Sequence, residues 1–161
     1  DDVLGRITPT TDYAALAAEL EVRAEGAPGA PVFVFVTALQ NFRKLRQDDD
    51  FGFASGGDDP SPAARLLDLL RDGPPRGLHV IAACDTWASV NRFLGRKGLA
   101  EFAARVLFQM SATDSAALCD LPDASQLGLH KALLFHEREG TIETFRPYGR
   151  PDTAWPAAWS K

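Results

Sequence analysis

The run Pro31-Val-Phe-Val-Phe-Val36 constrains this chain more than any other stretch. Three valines and two phenylalanines follow the proline without a polar residue, and the turn-forming Pro28-Gly-Ala-Pro31 leads into them. A half-exposed strand would alternate polar and apolar residues, so the unbroken run predicts a strand buried on both faces. The residues just past it are Thr37 and Ala38, so the strand ends without a carboxylate.

The rest of the chain alternates helical and extended patterns around that strand. Thr11 or Asp12 caps a helix-rich segment from Tyr13 to Glu25, with Leu16 and Leu20 one turn apart, and Gly26 stops it. Leu39, Phe42 and Leu45 predict a short helix whose outer face carries Arg43, Lys44 and Arg46. Ser61-Pro62 is a strong helix start, and Leu66, Leu67, Leu69 and Leu70 supply the apolar face up to Gly73-Pro-Pro. Gly77 to Cys84 predicts a second buried strand ending at Asp85. Helical pieces over 89–94 and 98–104 follow, then a strand over Arg105-Val-Leu-Phe-Gln-Met110 and a short helix from Thr113 to Cys119. Such alternation implies βαβ crossovers and a mostly parallel α/β sheet. At the end, 131–136 and 141–146, joined by Glu137-Arg-Glu-Gly140, form a hairpin signal that an antiparallel edge explains.

At 161 residues the chain suits one domain with a sizeable core. No apolar run approaches the roughly 18 residues needed to span a bilayer, and a net charge of -5 does not advertise a nucleic-acid surface. Cys84 and Cys119 read as buried free thiols in a reducing cytoplasm. The loop-like stretch 47–62 is rich in aspartate, but an EF-hand counted from Asp48 would need Gly and Glu where Phe53 and Asp59 stand. It reads as a solvated, mobile acidic loop. The tail from residue 150, with Trp155 and Trp159, has no usable period, and His79, His130 and His136 lack partners at zinc-ligand spacing, so no metal site is assigned. The chain opens Asp1-Asp-Val and its one methionine is Met110, so it reads as a piece of a longer protein.

No Gly-x-x-x-x-Gly-Lys-Ser/Thr occurs, so the chain has no loop to cradle a triphosphate. Asp85 ends an apolar strand, which is the shape of a magnesium-holding carboxylate, yet Asp85-Thr86 equally reads as the start of the next helix. The guanidinium forks of Arg92, Arg96 and Arg105 suit a phosphate on a neighbouring subunit, although an arginine opening a strand is more often a surface ion-pair partner.

Gly77-Leu-His-Val-Ile-Ala-Ala, Arg105-Val-Leu-Phe-Gln-Met-Ser111, Asp114-Ser115 and Leu127-Gly128 stand in an order that resembles the C-terminal half of the FtsK/SpoIIIE-type translocase motor, within the FtsK/HerA group of P-loop ATPases. The resemblance covers roughly residues 10–150 and implies a RecA-like core in which Val32 to Val36 is the Walker B strand and the Walker A half lies upstream. It further implies ATP and Mg²⁺ in the intact parent but none bound to this fragment, a homo-oligomeric ring and DNA as cargo, with protein export as the group's other task. By resemblance Arg105 faces the nucleotide of the adjacent subunit, Asp85 is the candidate catalytic carboxylate, and Thr37 and Thr86 lie beside the cofactor. The sequence departs from the family where Asp-Glu is replaced by Thr37-Ala38, Gln by Asp85, and the arginine after Asp-Ser by Ala116. Losing the acid pair implies a weak or inactive ATPase unless Asp85 substitutes, and a non-catalytic assembly module is the alternative.

Overall fold

The computed structural model describes residues 31–47 and 61–149. The helix expected over 13–25, the acidic loop beyond Gln47 and the tail from residue 150 lie outside the described residues. Strand β1 (Val32–Val36) runs parallel to β2 (Leu78–Ala82), in the register Val32↔Leu78 to Val36↔Ala82. A separate three-stranded sheet has the order β3-β4-β5, with β3 Ala104–Leu107, β4 Ala132–His136 and β5 Thr141–Phe145. The fold is therefore α/β, as expected. The sheet is not mostly parallel, because β3 pairs antiparallel with β4 instead of joining β2. The terminal hairpin forms as its sequence predicts, from Ala132↔Phe145 to His136↔Thr141.

Helix α1 (Pro62–Asp72) begins as its first residues dictate. Ser61 stays extended, its hydroxyl accepts the Ala64 N–H at 3.2 Å, and Pro62 occupies the first turn, where its missing N–H costs nothing. Gly77 then takes φ +76, a left-handed turn into β2 that glycine adopts without a Cβ penalty. Helix α2 (Trp87–Phe93) and helix α3 (Gly95–Ala100) are separated at Leu94, because Gly95 is left-handed at φ +58. The Gln47 side-chain amide donates to the Leu94 carbonyl at 2.7 Å, beside the Gly98 N–H that the same carbonyl accepts at 3.0 Å. Helix α4 (Ala112–Cys119) starts one residue before the expected Thr113, since Ser111 is the residue that accepts the Asp114 N–H. Between β1 and α1, the expected short helix is two 3₁₀ turns, Leu39–Asn41 and Arg43–Leu45. No helix of the described residues is long and apolar enough to cross a membrane.

Each sheet covers its own core. Val36, Leu39, Leu45, Leu70, Phe93 and Leu94 close one core, with Val34, Val80 and Ala82 packed against it. The expectation that β1 is buried on both faces fails. Phe33 and Phe35 are 55% and 68% exposed, because the packed elements seen here meet only the valine face. On the open face Phe33 stacks on His79 across the register, ring centroids 5.2 Å apart. An unbroken apolar run cannot report which face finds a cover.

Leu107, Cys119, Ala124, Leu127, Leu133 and Phe135 form the second core. Its organising polar group is Ser115, fully buried, whose hydroxyl donates to the Leu121 carbonyl at 2.6 Å and accepts the Ala124 N–H at 3.1 Å. Those bonds fold the segment after α4 back onto the helix. Ser115→Ala is expected to destabilise the protein by about 1–3 kcal/mol, since a buried donor and acceptor are stranded together. Urea unfolding measures it, and an unchanged midpoint would show that water replaces both bonds.

Candidate functional site

Parallel pairing brings the carboxyl ends of β1 and β2 to one sheet edge, where ligands of open α/β sheets bind. The chain is held there beyond the strands: Ala83 N–H donates to the Val36 carbonyl and Leu39 N–H to the Ala83 carbonyl, each at 2.9 Å. Thr37 and Ala38 therefore lie beside the segment that leads into Asp85 and Thr86, although they are far apart in sequence. Ala38 is left-handed at φ 57, a conformation that costs an alanine about 1–2 kcal/mol and persists because the bonds on either side fix it.

The side chains at this edge are largely occupied with local structure. Thr86 is the N-cap of α2, its hydroxyl oxygen accepting the Ser89 N–H at 3.2 Å. The same hydroxyl lies 3.0 Å from Ser89 Oγ and 3.3 Å from Asp85 Oδ1. Hydrogen bonding from Ser89, then from Thr86, holds the Asp85 carboxyl below the usual carboxylate range. Burial, with the Asp85 charge as a second cause, pushes the half-buried Cys84 thiol up, away from the nucleophilic thiolate. Of the two readings open for Asp85-Thr86, the helix start is the one the geometry displays.

Arg105 is turned inward. It is the second residue of β3, its side chain is 11% exposed, and its guanidinium donates to the Leu118 carbonyl at 2.6 Å and the Leu99 carbonyl at 3.1 Å. It also pairs with Glu137 and lies over the Phe135 ring, 5.4 Å from the centroid. Leu118 and Leu99 belong to the last turns of α4 and α3, where a cation is favoured, and the Leu99 carbonyl also accepts the Phe102 N–H at 3.1 Å. The arginine expected to face a neighbouring subunit thus spends its fork on its own chain, leaving Nε buried without a partner. It is also on the antiparallel sheet, away from the strands that carry Thr37 and Asp85. The sequence shows Ser115 only as half of Asp-Ser and Glu137 only as a turn residue, with no local signal for the bonds they make.

The group implied by the resemblance is Mg²⁺-ATP. This edge offers one carboxylate engaged in a cap, the Thr37 and Thr86 hydroxyls, and no glycine-rich turn of backbone N–H groups to cradle phosphates. These residues do not fit it by themselves. No protein-family model and no curated protein matches this sequence.

Two outcomes are expected. Arg105→Lys keeps the charge but cannot span both carbonyls, so it should cost about 1.5–3 kcal/mol in thermal or urea unfolding; a neutral substitution would mean the inward fork is dispensable. Asp85 has a depressed carboxyl, so its contribution is present above the ordinary carboxylate range and is lost as the pH falls through the folded-state value. Asp85→Asn should therefore flatten the acid limb of stability below pH of about 4 and leave the neutral-pH slope alone, as urea midpoints across pH would record.

Proposed function

We propose that this chain is the C-terminal part of an FtsK/SpoIIIE-like ATPase domain and serves there as a non-hydrolytic assembly half. The observation that carries the reading is the in-register parallel pair, β1 beside β2, with Thr37 at one carboxyl end and Asp85-Thr86 past the other. A Walker B strand and the strand after it would stand in that relation in a RecA-like core. Support also comes from the Asp-Ser pair, whose serine is the buried hydroxyl holding the second core together. The assembly role follows from the chemistry at the edge. Thr37-Ala38 offers no carboxylate, Asp85 is tied to Thr86 and Ser89, and Arg105 neutralises Glu137.

In this reading the upstream half would hold ATP and Mg²⁺, and the present half would complete the sheet and the contacts of a ring that moves DNA. A second reading, hydrolysis through Asp85, is favoured by the exposure of that carboxylate at a strand end. The two separate on one measurement. Asp85→Asn in the full-length protein is expected to leave Mg²⁺-dependent ATP turnover unchanged; a fall on the order of a hundredfold or more would give Asp85 the missing acid's task. Turnover by the 161 residues alone would overturn the assembly role.

A further inference from the structure

The antiparallel sheet has an open end of its own. The carboxyl ends of β3 and β5 and the amino end of β4 meet there, around a cleft of about 600 Å³ lined by Phe108, Gln109, His130, Lys131, Arg146 and Tyr148 among others. Continuing the β4–β5 register one residue past Ala132↔Phe145 sets Lys131 opposite Arg146. Continuing β3–β4 past Leu107↔Leu133 sets Gln109 opposite Lys131. Two like charges directly across a strand pair repel. Among the described residues neither cation makes an ion pair, and no carboxylate lines the cleft. The chain as a whole is acidic, so among the described residues the cleft is a local accumulation of positive charge.

We infer that the cleft between Lys131 and Arg146 binds a nucleoside monophosphate, its phosphate between the two cations and its base against the flanking aromatic rings. An anion placed between them turns the repulsion into charge-assisted hydrogen bonds, the guanidinium fork being suited to two phosphate oxygens. Phe108 is 59% exposed and Tyr148 fully exposed on the cleft's flanks, which are stacking surfaces of the kind that hold bases without sequence preference. The Gln109 amide supplies both a donor and an acceptor for a base edge. A cleft of this volume lies within the range of small-molecule sites. In the loop that presents Lys131, His130 is left-handed at φ 60 and Lys131 N–H donates to the Gly128 carbonyl at 3.3 Å. This site does not rest on the ATPase-like reading, whose candidate nucleotide edge is on the parallel sheet.

Calorimetric titration of the chain with AMP in magnesium-free buffer tests it. Saturable binding is expected, weakened at least about tenfold in Lys131→Ala/Arg146→Ala and in Tyr148→Ala. Thermal unfolding of the double variant should be unchanged or raised, since a repulsive pair is removed, and Lys131→Gln provides a milder version of the same test. The proposal is overturned if AMP shows no saturable binding at millimolar concentration, or if adenosine or inorganic phosphate alone binds as well as AMP. It is equally overturned if a short single-stranded oligonucleotide binds far more tightly than AMP, which would make the cleft a nucleic-acid contact, or if both variants retain full affinity.

Discussion

Everything at the candidate site depends on β1 and β2 running the same way. Parallel strands cannot be joined by a tight turn, so the chain must travel through α1 and return before it can pair again. The return sets Val36 against Ala82 and continues through the Ala83 bonds, so two segments remote in sequence end at one edge. Hydrophobic pairing in the rows Val34–Val80 and Val36–Ala82 provides the drive, since those residues pack on the first core. Thr37 and the segment leading into Asp85 reach one edge because those valines need cover.

The two sheets treat charge differently. At the parallel edge, Asp85 stays in solvent and its carboxylate is steadied by hydroxyls, so its electrostatics act locally and are screened. In the antiparallel unit, Arg105 is drawn into a setting where a single cation answers two helix ends, a carboxylate and a ring face. Removing water around a guanidinium is tolerable because so many acceptors converge on it. An arginine so committed is poorly placed to serve a second master across a subunit boundary.

Much of the fold was legible because the signals are local. Ser61-Pro62 carries its own cap, Gly77 its own turn, and the hairpin across Glu137-Arg-Glu-Gly140 its own register. What escaped reading is what tertiary context decides. Nothing in Arg105-Val-Leu says whether that strand will add to β2 or pair with a hairpin still to come, because pairing direction is set by the chain that follows. Phe33 and Phe35 are as apolar as buried residues, so only the surrounding elements show that their face is open. At the site, Asp85 was visible as a residue type at a strand end, but its commitment to Thr86 and Ser89 is a matter of side-chain geometry.

The Arg105 cluster has a mechanical consequence. Glu137 starts the turn of the β4–β5 hairpin, while Leu99 and Leu118 are backbone carbonyls of two separate helices. One planar group therefore couples the hairpin to both helices over a short path of polar contacts. A force applied at the hairpin tip would be carried to α3 and α4 through that rivet before the apolar core had to yield, because directional bonds to a rigid fork resist sliding where packed methyl groups do not.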